Sequence, residues 1–132
     1  MMFDGINLTA VLVAAIASFI VGALWYGILG KVWMKAAGLT REQTRPAAVP
    51  MVLAFLCQLV MAFVFAGVIY HLGNNGLKTG LISAGMIWTG FVLTTQIVNH
   101  RFQGAPWALT VIDSGHWLAV LVVQAIIISL WG

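Results

Sequence analysis

The stretch Ile112-Asp113-Ser114-Gly115-His116-Trp117 lies inside an unbroken apolar run from Trp107 to Trp131. At about 1.5 Å per residue, that run is long enough to cross a hydrocarbon layer of roughly 30 Å. A carboxylate inside such a run is expensive, about 2.5–3.5 kcal/mol at a helix centre on insertion scales. No other acidic residue stands in an apolar run of this chain. Asp113 and His116 are three residues apart and share one helix face. The rest of the fold is therefore expected to bring that face a polar partner or water.

The composition points the same way. The 132 residues are 62% hydrophobic and only 7% charged, where a soluble domain is about a quarter charged. Such a chain cannot cover a surface facing water, so its main partner is the lipid bilayer. The six basic residues read as a rim facing lipid headgroups, with no patch suited to nucleic acid. Residues 1–132 read as a single transmembrane domain. Cys57 is the only cysteine; it cannot close an intrachain disulfide and is expected to be a small buried apolar residue. The segment Met1-Met2-Phe3-Asp4 lacks a basic n-region, and the apolar run after it is too long for a signal peptide, so the first span is expected to be uncleaved.

Working outward from the last span, the pattern predicts an all-α, integral membrane four-helix bundle of up-down topology. Its spans cover about 8–29, 50–70, 79–99 and 107–131. In the first, Ala10, Ala14, Ser18 and Gly22 recur every fourth residue, a spacing that lets helix backbones approach closely in lipid. That seam, with the low mass, predicts a homo-oligomer. Trp25 and Tyr26 mark the approach to the membrane surface. Within loop 30–49, Val32-Trp33-Met34 with Ala36 and Ala37 reads as a short interfacial helix ended by Gly38, and Thr44 as an N-cap before Arg45-Pro46. His71-Leu72-Gly73-Asn74-Asn75-Gly76 reads as a tight turn that makes the second and third spans antiparallel neighbours, with Thr79 capping the third and His71 exposed. Pro106 reads as the first turn of the fourth. Lys31, Lys35, Arg41, Arg45 and Arg101 share one side against Lys78 on the other, which puts those loops in the cytoplasm and both termini on the non-cytoplasmic side.

Depths counted from the cytoplasmic end bring several polar groups to one level. Asp113 comes out about 9 Å deep and His116 about 13–14 Å. Cys57 and Gln58 fall at about 10–12 Å, and Thr89 at about 15 Å. On the third span Thr89, Gln96 and His100 share a face with Thr95 and Asn99 beside it, and Gln124 returns to the Asp113 face. Trp88 and Trp117, far from the interface, are expected to be buried in protein with a partner for the indole N–H. Asp113, His116, Gln58, Thr89, Gln96 and Asn99 thus form the candidate polar layer.

Three chemistries fit that layer. The first is binding or transport of a small solute, ion or proton, since ionisable groups inside a membrane mark such sites. The second is a structural or accessory protein acting through helix–helix contacts, with the polar groups as glue. The third is a membrane-embedded metalloenzyme in which Asp113 and His116 chelate with Cys57 as third donor; His100, counted as lying at the surface, cannot join it. No H-E-x-x-H or paired-cysteine motif supports a metal, no cofactor is expected, and Ser114 points about 200° away from His116, which breaks a Ser–His–Asp triad.

The order of several short motifs resembles an uncharacterised family of small bacterial four-span inner-membrane proteins, a domain of unknown function. These are Gly22-Ala23-Leu24-Trp25-Tyr26, Gly30-Lys31-Val32-Trp33-Met34, Ala37-Gly38-Leu39, Trp88-Thr89-Gly90-Phe91, Asn99 with Phe102, Pro106-Trp107, and Gly115 with Trp117. The resemblance covers most of the chain. It implies a multi-pass protein of the bacterial inner membrane and no agreed activity. It also implies an acid near Gln103 and an asparagine near Asp113 in many members, so that the charge at Asp113 is particular to this sequence.

Overall fold

The computed structural model describes residues 5–73 and 76–131. The helices are α1 (Leu8–Ala37), α2 (Ala48–Leu72), α3 (Leu77–Ile87), α4 (Thr94–Phe102) and α5 (Trp107–Trp131). A π-helical turn, Trp88–Leu93, joins α3 to α4 without a break. The described residues contain no strand. Counting Leu77–Phe102 as one, four helices are long and apolar enough to cross a membrane.

Helix α5 is the centre of the bundle. It packs most extensively on α1 and next on α3, while α2 leans mainly on α1 and meets α3 only slightly. The short 73–76 connection therefore joins two helices that sit on different flanks of α5 and α1, so they are not a closely packed hairpin. Asn74 and Asn75 of the expected turn lie outside the described residues; Gly73 takes φ +72°, the left-handed conformation that closes α2.

Helix α1 shows how the sequence sorts its faces. Leu8, Leu12, Ile16, Ile20, Leu24, Ile28 and Val32 are all exposed, one stripe of large apolar side chains for lipid. Ala10, Ala14, Ser18 and Gly22, on another face, are all buried. Lipid solvates the large side chains, and the small ones let backbones meet, so the helix is large-out and small-in. The main apolar core gathers Ala14, Ala15, Ala62, Phe65, Leu121 and Ala125.

Four expectations need correction. Val32-Trp33-Met34 belongs to α1, which continues to Ala37 before Gly38 (φ +70°) ends it. An isolated Gly30 costs a helix only about 1 kcal/mol, and the strong helix formers after it carry the chain through. Thr44 does not cap α2, whose N-cap is Ala47; its hydroxyl donates to the Arg41 carbonyl and to Met34 Sδ, folding the 38–47 loop back along α1. The third helix starts at Leu77 behind Gly76, two residues ahead of the expected Thr79 cap. Cys57 is exposed on the outside of α2.

Candidate functional site

Asp113 occupies the seam between α1 and α5. Its Oδ1 accepts from the Tyr26 hydroxyl at 2.7 Å and from the Trp33 indole N–H at 3.1 Å. Tyr26 and Trp33 are seven residues apart on α1, two helical turns, and so share a face. The same oxygen can take both donors because the helix does not stop at Leu29. Asp113 Oδ2 faces His100 Nε2 at 3.8 Å. His100 Nδ1 lies 2.7 Å from Thr110 Oγ1, which also accepts from Arg101 Nη2 at 2.9 Å. A Thr110 hydroxyl that donates to Nδ1 would leave the Nε2 hydrogen of a neutral His100 towards the carboxylate. Arg101 further donates to the Ala105 carbonyl and stacks 3.7 Å above the Trp107 ring.

His116 lies one turn further along α5 and is buried. Its ring packs against Tyr26 (centroids 4.9 Å apart) and Trp117 (4.6 Å), and its Nδ1 has no hydrogen-bond partner. Its Nε2 points at Gly22, where a Cβ would stand 2.7 Å away. Gly115 is equally constrained, since a Cβ there would meet the Trp25 ring at 2.9 Å. Trp25 in turn donates to the Ile112 carbonyl at 3.1 Å, and Trp88 to the Ser114 carbonyl at 2.7 Å. The indoles thus lock α1 and the third helix onto the α5 backbone around the Asp113 face.

Gln58 and Gln124 belong to a separate cluster. Ser18 Oγ donates to Gln58 Oε1 at 2.9 Å, and Gln124 Nε2 donates to Ser18 Oγ and to the Gln58 carbonyl, both at 3.1 Å. All three side chains are buried. The expected single layer is therefore two clusters, one charged and one neutral. Of the six candidates, Asp113 and His116 face α1 together through Tyr26; Gln58 bonds elsewhere. Gln96 is half-buried with Oε1 unpartnered, and Thr89 and Asn99 are exposed. The π-helical turn explains the loss of Thr89. An extra residue per turn rotates the face, so spacing counted through Trp88–Leu93 does not carry over to Gln96 and His100. His100, counted as too shallow, is part of the site, because α4 runs on to Phe102 and holds it in its last turn, facing Asp113.

Two cavities lie beside this seam, and Tyr26 lines both. One, of about 660 Å³, lies under the 38–47 loop with Trp33, Thr44, Arg41 and Arg45 in its wall. The other, of about 300 Å³, is a mostly apolar groove between α1 and α2 that reaches Gly22, Gln58 and His116. Among the described residues no three His, Cys, Asp or Glu side chains converge as a metal site requires. With Cys57 facing outward, the metalloenzyme reading loses its third donor. Ser114 Oγ bonds the Thr110 carbonyl, away from His116.

The aromatic partners of Asp113 were not identified from the sequence. Their signal was present: Gly22, Tyr26 and Trp33 fall on one face of a helix that continues past Gly30. Residues 9–129 match the model of a family described as a protein of unknown function, DUF1761. The match spans every motif on which the resemblance rests. No curated protein and no solved structure matches the chain.

Proposed function

The chain belongs to the DUF1761 family of proteins of unknown function, and from that premise we propose that it binds or passes a small solute, ion or proton along the Asp113 face, with protons the species its residues suit best. The observation that carries this reading is a string of exchangeable groups across three helices: His100 on α4, Asp113 on α5, Tyr26 on α1 and His116 on α5. The steps are a hydrogen bond from Tyr26 to Asp113, a 3.8 Å approach of His100 to Asp113 and a ring contact between Tyr26 and His116, and the inner end, His116 Nδ1, is left without a partner. A carboxylate, a phenol and two imidazoles can each take up and release a proton, which amide clamps cannot. Arg101 is the fixed cation beside the outer end.

The same reading places the 38–47 loop and the 103–106 turn in the cytoplasm of a bacterial inner membrane, with both termini outside, since five basic residues flank one side and one the other. The string then opens to the cytoplasm. Purified protein in liposomes, with a trapped pH dye and an imposed potential, tests it. Proton flux above that of empty liposomes is expected, and Asp113→Asn should lower it at least about tenfold. Unchanged flux in that variant removes Asp113 from the mechanism.

A second reading is a structural role through helix contacts, as a homo-oligomer. Thr89 and Asn99 are exposed on the third helix, and neither side chain has a hydrogen-bond partner among the described residues. In lipid such groups favour a neighbouring helix. The Ala10–Gly22 seam is used inside the chain, so it is not free for a second copy, and the exposed polar groups of the third helix are. Cysteine crosslinking at Thr89 in a Cys57→Ser background checks it: a dimer band supports the contact, and none removes it.

A further inference from the structure

The two cavities that share Tyr26 have opposite characters. The larger carries Arg41 and Arg45, whose guanidinium groups have no hydrogen bond or ion pair among the described residues, with Thr44 and Trp33 beside them. Glu42 also lines it, leaving one net positive charge. The smaller is walled mainly by Phe19, Met51, Ala54 and Trp117, with Tyr26 at the junction. From Phe19 to Tyr26 the groove follows about 10 Å of helix axis. The 38–47 loop follows the first apolar span, at whose end a bilayer holding that span would set its headgroups.

We propose that these cavities form one site for an anionic phospholipid, with its phosphate between Arg41 and Arg45 and one acyl chain in the α1–α2 groove. The charge fits an acidic headgroup. Arginine presents a planar fork of donors that matches phosphate oxygens, and Thr44 adds a hydroxyl. A soluble phosphate compound would occupy the basic cavity and leave the apolar groove without an occupant. A zwitterionic lipid would bring an ammonium towards a wall that is already net positive. Tyr26 lines both pockets, so an amphiphile laid across it would set its head in one and its chain in the other. The site shares Tyr26, Trp33 and His116 with the surroundings of Asp113, while Arg41, Arg45 and Ala54 line it alone.

The full chain in detergent is titrated with phosphatidylglycerol, with phosphatidylcholine and with inorganic phosphate, and thermal unfolding is followed. Phosphatidylglycerol should raise the midpoint in a saturable way, and the other two should not. Arg41→Gln and Arg45→Gln should each weaken phosphatidylglycerol about fivefold, and together about thirtyfold. These side chains are exposed and make no hydrogen bond or ion pair among the described residues, so the variants should unfold as the parent does without lipid. Ala54→Leu, which fills the groove, should weaken phosphatidylglycerol while leaving any response to phosphate unchanged. Equal stabilisation by phosphatidylcholine, or no loss in the double arginine variant, overturns the proposal. A phosphate response as large as the lipid's, insensitive to Ala54→Leu, overturns the acyl-chain half and leaves a phosphate pocket. Proton flux that persists in the arginine variants separates this site from the Asp113 reading.

Discussion

Two polar clusters lie along one helix seam and are built in opposite ways. Near the loop end, Asp113 gathers donors from α1, faces a histidine from α4, and stands beside an open cavity. About 16 Å further along α5, Ser18, Gln58 and Gln124 close on one another, with Ser18 and Gln124 at 0% exposure. The neutral cluster joins three helices using groups that both donate and accept, and it carries no charge to desolvate. The charged cluster accomplishes the same joining at a far higher insertion cost. Adhesion in lipid is thus available from amides and hydroxyls alone. The carboxylate exceeds what adhesion requires, and that excess is the ground for assigning it a role.

The comparison rests first on the seam that holds both clusters. Gly22→Leu drives a branched side chain into the His116 ring, which a Cβ alone approaches to 2.7 Å. Overpacking of this kind costs about 1–3 kcal/mol, and here it separates α1 from α5, so the largest fall in unfolding midpoint in detergent is expected, with flux lost as well. Unchanged stability would mean the two helices do not meet as closely as described. Gln124→Ala comes next. It removes the donor to Ser18 and to the Gln58 carbonyl, and about 1 kcal/mol of stability should go with it. Combined with Ser18→Ala the loss should be clearly less than additive, since both changes dismantle one network. Proton flux should survive both. A flux defect in Gln124→Ala with intact stability would erase the division between clamp and pathway.

The difference between the clusters was only half legible in the sequence. Four apolar runs, the small-residue stripe of α1 and the isolated Asp113 could be read directly, because lipid imposes length and sidedness on a helix. The polar residues could be found but not paired. Depth counting put Gln58 and Asp113 at one level, yet level says nothing of azimuth, and Gln58 turns to Ser18 and Gln124. Two local features broke the count. The helix did not end at the Trp25-Tyr26 surface signal, so Trp33 was placed in a separate helix when it belongs to the Asp113 site. The π-helical turn at Trp88–Leu93 shifted the register of the third helix, exposing Thr89 and leaving Gln96 and His100 towards the interior. Neither Gly30 nor Gly90 announces which of these two outcomes it permits.

The smallest stability effect should come from the residue with the largest proposed role. Asp113→Asn keeps an Oδ1 that still accepts from Tyr26 and Trp33, and changes only the atom facing His100. It loses an attraction across 3.8 Å between His100 and a carboxylate that is itself 21% exposed, and it also removes the cost of desolvating that carboxylate. These oppose each other, so the net change should stay within about 1 kcal/mol, with the unfolding midpoint near that of the parent. Flux and stability would then separate in opposite directions at the two clusters: Gln124→Ala weakens the fold and spares flux, Asp113→Asn spares the fold and stops flux. If instead Asp113→Asn unfolds the bundle as readily as Gly22→Leu does, the carboxylate is one more clamp. The charged cluster would then differ from the neutral one only in being a costlier way to hold the same helices.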